Sequence, residues 1–361
     1  MKTVSRNVAG AVQSCRALFW LLVIVGNLGG PLWAADAVDE AMRKASEYLV
    51  GKQDARGAIR ENDSHETAMT ALSLLGMAAV GHQASEEGKH GDAFRKALGF
   101  VLKEDRQDKD GYFGSKDHSR MYGHGIVTLA LSELAGMGVD GPMNEVLRKR
   151  CQAGVDLILK SQNAKKRSGQ EGGWRYVPTA DDSDLSVTVW QLMALRSAKN
   201  SGFEVPGTAI ERAVDYIKRS HRVGKGKAEF REPTGFGYQV GGRSVWSTAT
   251  EGLLALQVCG EYQSQEVVST ADWLLDHPPK VQGTEWFFYG TYYYAQGMYQ
   301  RGGNHADEAA RRVAEVLLPM QEADGSWKAA GGQEGSMRVY RTAMAMLSLG
   351  VKYHFLPIYQ R

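Results

Sequence analysis

An excess of charge of either sign is missing from this chain. Its 43 Lys and Arg are nearly balanced by 41 Asp and Glu, for a formal charge of +2 over 361 residues. No basic patch is interleaved with aromatics, so nucleic acid is excluded as a partner. Cysteine is scarce, with three in the whole sequence. There is no Cys-x-x-Cys and no His-x-x-x-His, so the common zinc and redox spacings are absent and no metal or cofactor is assigned. Strand-like alternation is rare, and no Asn-Gly turn joins two apolar runs, which argues against an all-β fold. No apolar run reaches the ~20 residues that a bilayer requires.

What is present begins with a leader. Lys2, Arg6 and Arg16 precede the apolar run Ala17 to Val25, which Gly26, Asn27, Gly29, Gly30 and Pro31 interrupt. Ala35-Asp36-Ala37 follows as an A-x-A site. Residues 1–37 therefore read as a secretory signal peptide, cut after Ala37 or Ala34. The expectation is an exported, periplasmic or cell-envelope protein, touching a membrane only through an uncleaved leader. Residues 38–361 read as one domain. Its two cysteines, Cys151 and Cys259, read as buried single thiols rather than a bridge.

The strongest signal is internal similarity. Gln53-x-x-x-Gly57-x-Ile59, Gln107-x-x-Asp110-Gly111-x-Phe113 and Gln321-x-x-Asp324-Gly325-x-Trp327 share one spacing, and Gln170-Glu-Gly-Gly-Trp174 is a shorter relative. Gly235-Phe-Gly-Tyr238 and Glu285-Trp-Phe-Phe-Tyr289 occupy the same place in two more units. Each stretch follows an amphipathic helical pattern and precedes a more apolar helix. Thr67 to Leu74 resembles Thr342 to Leu349 in that second position. Helices that are apolar nearly all round must contact both an outer partner and one another, which favours a closed ring over an open superhelix. The expectation is an all-α fold, an α/α toroid of six helix pairs with six parallel inner helices inside six outer ones. Its inner N-termini converge at one mouth, where free N–H groups and positive helix ends would gather.

The Gln-x-x-Asp-Gly-x-Trp units resemble the repeats of squalene-hopene cyclases and of protein prenyltransferase β-subunits. More closely, the chain resembles exported prenyltransferase/squalene-oxidase-repeat proteins of planctomycete-type bacteria. Met121-Tyr-Gly-His-Gly125, Gly172-Gly-Trp-Arg-Tyr176, Asp182-Ser-Asp184, Ser186-Val-Thr188, Trp190-Gln191 and Leu356-Pro-Ile-Tyr359 carry that resemblance. It implies the toroid over about residues 39–361, and terpenoid-cyclase-type or prenyltransferase-type chemistry as a possibility. The cyclase acid motif, laid on Asp181 to Asp184, places Ser183 where the acid belongs. The Asp-x-Cys zinc pattern of the prenyltransferases has no match at Cys151 or Cys259.

Candidate site residues cluster at the expected mouth. Asp182 is the remaining candidate acid, and Asp184 stands where a cap for the following helix belongs. His124 falls in a column with Thr67, Thr188 and Thr342, and reads as a structural histidine or a proton carrier. Glu251 lies in a column otherwise apolar, where an unpaired carboxylate would be costly, with Arg338 or Arg341 as partners in reach. The candidate ligand-binding set is His65, Tyr122, Asp184, Ser186, Trp246, Trp286, Tyr292, Tyr340 and Arg341, with packing as the alternative for Trp246, Trp286 and Tyr292. Three functions stay open. One is binding of an apolar or extended small-molecule or peptide chain, such as an isoprenoid or lipid. Another is an enzyme using Asp182, His124 and Glu251, of isoprenoid or polysaccharide type. The third is a protein-interaction scaffold. Oligomeric state is not specified.

Overall fold

The computed structural model describes residues 32–360, except 63, 136, 138, 140 and 225–232. Of the expected leader, residues 1–37, residues 1–31 lie outside the described residues and residues 32–37 begin the first helix. Among the described residues, twelve α-helices follow in strict alternation. The outer helices are α1 (Leu32–Gly51), α3 (Lys89–Val101), α5 (Gly141–Gln162), α7 (Gly207–Arg219), α9 (Gln265–Asp276) and α11 (Gly303–Leu317). The inner helices are α2 (Glu66–Ala79), α4 (Arg120–Leu134), α6 (Leu185–Asn200), α8 (Trp246–Val258), α10 (Phe287–Arg301) and α12 (Arg338–Leu349). A two-residue antiparallel pair, β1 (His221–Arg222) with β2 (Gly235–Phe236), sits in the loop before α8. Among the described residues no helix is long and apolar enough to cross a membrane.

Burial explains the two rings. In α7 the buried residues are Ala209, Ile210, Ala213, Val214, Tyr216 and Ile217, a single stripe at helical spacing. In α6 every residue from Leu185 to Leu195 is buried. Each inner helix packs on the next, and α12 packs on α2, so the inner ring is closed. Polar bonds cross the seam as well. Gln321 Nε2 donates to Ala41 O at 2.8 Å, and Arg338 N donates to Glu61 Oε2 at 2.7 Å.

The Gln/Gly motif turns out to be the clamp between neighbouring units. Gln53 Nε2 donates to Gly57 O and to Ala93 O on the next outer helix, at 3.2 and 2.8 Å. Gln107 does the same with Gly111 O and Arg150 O, and Gln321 with Gly325 O and Ala41 O. In the third unit the residue in this role is Gln162, which donates to Gly172 O and Ala209 O. Gln170, the expected counterpart, instead accepts from Ser183 N. A longer loop separates the glutamine from its glycine there, so the local spacing pointed to the wrong residue. The glycine itself is required on two counts. Gly57, Gly111, Gly172 and Gly325 all have φ between 87° and 99°. A Cβ would sit 2.1 to 2.4 Å from a carbonyl oxygen of the next outer helix. The motif aromatics are packing groups: Trp174 and Trp327 are fully buried, and their Nε1 groups donate to Ile158 O and Leu317 O.

The middle of the ring is filled rather than hollow. Trp190 of α6 lies against Tyr289, Tyr292 and Tyr293 of α10, with ring centroids 6.0 to 6.4 Å apart. The end opposite the mouth is closed by the C-terminal segment. Ile358 N donates to the buried Glu133 at 3.1 Å, Gln300 Nε2 donates to Tyr359 O at 2.6 Å, and the Tyr359 and Tyr292 hydroxyls bond to each other. Cys151 and Cys259 are free thiols.

Candidate functional site at the inner-helix N-termini

The first turns of α2, α4, α6, α10 and α12 do not offer the free N–H groups expected at the mouth. Loops of the following unit occupy them. Asp117 Oδ2 accepts from Thr67 N and Ala68 N of α2, at 3.1 and 3.0 Å. Glu334 accepts from Phe288 N and Tyr289 N of α10, at 3.0 and 3.1 Å. Glu61 accepts from Arg338 N and Val339 N of α12. Backbone carbonyls serve α4 and α6, through Met121 N to Tyr176 O and Leu185 N to Tyr238 O. Carboxylates at a helix N-terminus satisfy orphan donors and oppose the dipole. At α2, α10 and α12 the positive helix end is therefore already met by a carboxylate of the fold.

Asp184 caps its own helix: Oδ1 accepts from Val187 N at 2.8 Å. Its other oxygen accepts from Arg175 Nη1 at 3.0 Å. Burial pushes its pKa up to about 6, against the pull of the Val187 N–H and of Arg175. Asp182 sits one layer further out, 3.3 Å from Arg167 Nη2 and 3.4 Å from Arg175 Nε. Lys166 Nζ donates to the carbonyls of Ala180 and Asp182. The acidic stretch before α6 is thus a loop pinned by Arg167, Arg175 and Lys166, with one carboxylate turned inward as a cap.

Glu251 is the exception in this region. It is 1% exposed, on the second turn of α8, and its oxygen accepts from Ser186 Oγ at 2.8 Å. The expected arginine partner is elsewhere. Arg341 is buried and its guanidinium donates to Trp327 O, Glu334 O and Gly335 O, so it holds the loop before α12. With no cation among the described residues against it, Glu251 is pushed up to about 8 by burial, further raised by the Asp184 charge. At neutral pH it is a carboxylic acid, not a carboxylate. Phenols surround it. Tyr289 is buried with its hydroxyl beside Ser186, Glu251 and Tyr293, and both Tyr289 and Tyr122 are raised well above the usual phenol range by burial, with Glu251 among the charges acting on them. Tyr340 on α12 feels the same carboxyl. Exposure falls inward in steps. Tyr122, Tyr176, Tyr238 and Tyr340 are half-buried at the rim, Ser186 and Tyr289 are 6% and 8% exposed, and Glu251 lies below them. Arg175 stacks over Tyr176, which packs on Tyr122 and bonds through its hydroxyl to Tyr238.

Other candidates lie apart from this group. His124 is fully buried, its Nδ1 accepting from Phe113 N at 3.3 Å and its Nε2 facing Gly154 O at 3.1 Å. Burial holds its pKa down to about 4, so it is neutral with both nitrogens engaged. Thr188 gives the same service to Trp174 N, and in α2 Thr70, not Thr67, gives it to Ile59 N. His65, the residue before α2, has φ 56° and its Nδ1 contacts Asp117 O. Trp286 is its counterpart before α10, also at φ 56°, and is 40% exposed. Trp246 packs on Tyr294 and its Nε1 donates to His277 O. Tyr292 is buried against Trp190 and the C-terminal segment, far down the ring from the rim. Sequence reasoning missed Glu334, Asp117, Arg175 and Tyr289. Asp117 and Glu334 stand in loops of a different unit from the helix they cap, where no local spacing marks them.

No known protein family and no curated protein matches the sequence. The fold is shared with solved structures at low identity. The α-1,6-mannanase GH76A of Salegentibacter sp. HEL1_6 superimposes with a TM-score of 0.59 at 8% identity, over 88% of this chain and 99% of that one. An inactive variant of that mannanase is solved with α-1,6-mannotetrose. A variant of the type II terpene cyclase MstE from Scytonema, with its product merosterolic acid A, gives 0.54 at 14% identity, over 90% and 100%. Rex8A from Paenibacillus barcinonensis, complexed with xylose, gives 0.54 at 12% identity, over 91% and 95%. These likenesses establish the α/α toroid.

Proposed function

We propose that the rim at the inner-helix N-termini binds an extended hydroxyl-bearing chain, an oligosaccharide in class. The observation that carries this reading is Glu251, a buried carboxyl kept neutral beside Ser186 and beneath a layer of tyrosines. A neutral acid both donates and accepts, and so do phenol and serine hydroxyls. That set matches sugar hydroxyls, while the faces of Tyr122 and Tyr340 match the apolar faces of sugar rings. An isoprenoid or lipid chain would leave these polar groups without partners. A ring interior filled by Trp190, Tyr292 and Tyr293 supports binding across the rim rather than threading into the ring. Sugar ligands in similar rings agree with this reading.

A second reading is favoured by one observation. Asp184 at about 6 and Glu251 at about 8 are pushed to different values, so a charged and a neutral carboxyl coexist near pH 7. Such a pair suits acid-assisted cleavage of a glycosidic bond, with Glu251 as the proton donor. Asp182 and His124, the other catalytic expectations, are tied to arginines and to backbone groups respectively.

Calorimetry with α-1,6-mannotetrose, xylo-oligosaccharides and geranylgeranyl dihydroxybenzoate tests both readings. The expected result is heat with an oligosaccharide, weakened by Tyr122→Ala. Reducing ends released by the wild type and not by Glu251→Gln would promote the second reading. Binding of the isoprenoid alone, or saccharide binding indifferent to Tyr122→Ala, refutes the proposal.

A further inference from the structure

We infer that His82, Glu86 and His90 form a site for a divalent transition-metal ion of the zinc type, on the outer wall of the ring and apart from the rim. One ligand atom from each lies within 4.8 Å of the other two. His82 is in the turn after α2, Glu86 in the connection to α3, and His90 in the first turn of α3. Three donors on bonds of about 2.0–2.1 Å stand roughly 3.3 Å apart around a tetrahedral ion. The fold holds the three within 4.8 Å of one another, with His82 Nδ1 and Glu86 Oε2 at 2.9 Å, so closing on an ion takes side-chain adjustment only.

The hydrogen bonding of His82 has room for a cation. Ser46 Oγ has one proton and donates it to Met42 O at 3.0 Å. In that arrangement its oxygen, 3.0 Å from His82 Nε2, accepts from that nitrogen, whereas a hydroxyl turned to Nε2 would free Nδ1–H to donate to Glu86 Oε2. A neutral His82 protonated on Nε2 carries a bare lone pair on Nδ1. That lone pair faces Glu86 Oε2 at 2.9 Å, lone pair against carboxylate. Something positive belongs between them. A proton would satisfy this pair alone. It would leave His90 stacked on a charged imidazolium, ring centroids 4.5 Å apart, with the buried His90 Nε2 lacking any hydrogen bond. That nitrogen stands 3.2 Å from Glu47 Oε1, close but without a hydrogen bond. A metal ion serves all three groups at once and places Glu47 within reach of an outer position.

The surroundings hold the donors in place. Arg95 Nη1 donates to Ala84 O and Glu86 O, fixing the loop that presents Glu86. Gly91 lets α3 start against that loop, since a Cβ there would stand 1.8 Å from Glu86 O. The bond from His82 to Ser46 orients the ligating ring, the role that outer partners play for metal-bound histidines. Two imidazoles with one carboxylate favour zinc, nickel or copper over calcium or magnesium, which take oxygen sets. The ion would tie α1, through Ser46 and Glu47, to the start of α3.

Chelator-stripped full-length protein titrated with zinc chloride by calorimetry at pH 7.5 tests the inference, with thermal unfolding followed in parallel. The expected result is one zinc per chain and a zinc-dependent rise in melting temperature. His90→Ala and Glu86→Gln should abolish both effects, and Ser46→Ala should weaken binding about 10-fold. Circular dichroism and zinc-free melting confirm that each variant folds, and Glu86→Gln, a change at a loop position, keeps the test decisive should His90→Ala unfold. Absence of zinc binding in the wild type, or binding unchanged in folded Glu86→Gln, overturns the inference and leaves a proton between His82 and Glu86.

Discussion

Replacing Glu251 with glutamine should invert the usual cost of altering a buried polar residue. The carboxyl is 1% exposed, has Ser186 as a hydrogen-bond partner, and faces no cation among the described residues. Its pKa rises from 4.5 to about 8 on folding, which at about 1.4 kcal/mol per pH unit corresponds to about 5 kcal/mol. The folded state holds a proton here that the unfolded chain releases above pH 4.5. The stabilising contribution is therefore complete below pH 4.5 and is lost as the pH climbs towards 8. Above that, the folded protein carries a buried carboxylate among phenols. Glutamine keeps the shape and cannot ionise. Urea unfolding followed by circular dichroism at pH 5, 7 and 9 measures the effect. At pH 5 the variant should match the wild type or fall slightly below it, since the amide replaces one hydrogen-bonding group by another. At pH 9 it should be the more stable, by up to about 5 kcal/mol, less what local opening and water entry recover. A wild-type-minus-variant difference that stays constant from pH 5 to pH 9 would refute the neutral-acid assignment, and with it the polar character of the rim.

Three further outcomes are expected. Asp117→Ala and Glu334→Ala should each cost about 1–2 kcal/mol in urea unfolding, because each strips two N–H groups at the start of α2 or α10 of their acceptor. Gly172→Ala should cost about 1–3 kcal/mol through collision with Arg212 O, whereas Gly99→Ala, with open space at its Cβ, should be neutral or stabilising by up to about 1 kcal/mol; thermal unfolding compares them. His124→Gln should flatten the acid limb of the stability profile. Its folded pKa of about 4 lies below the ordinary 6.5, so its contribution is present above pH 6.5 and lost as the pH falls towards 4, and denaturation between pH 4 and 7 reads the difference.

Burial of a neutral carboxyl and of a neutral histidine in the same ring acts in opposite directions with pH. Glu251 and Glu133, the latter raised to about 7 by burial, favour acid, and His124 favours base. Their sum places the most stable range between these extremes. Glu133 also bears on the C-terminal segment, because it accepts from Ile358 N. Its ionisation above pH 7 charges the floor on which residues 356–359 rest.

Helix type, alternation of outer and inner helices, and ring closure could be read along the chain. Those properties follow from local periodicity: a stripe such as Ala209 to Ile217 buries one face, and a segment such as Leu185 to Leu195 buries all of them. Asp184 as a helix cap was legible for the same reason, since donor and acceptor lie three residues apart. Tertiary structure alone decided the rest. It chose Gln162 over Gln170 as the clamp, supplied Asp117, Glu334 and Glu61 to helices of neighbouring units, spent Arg341 on carbonyls, and left Glu251 to Ser186. It also set His82, Glu86 and His90 together, at a spacing that no ligand motif announces. The physical reason is common to all of these. Each partner belongs to another unit or another turn, and which groups meet is determined only once the ring has closed and its loops have been pressed against the next helix pair.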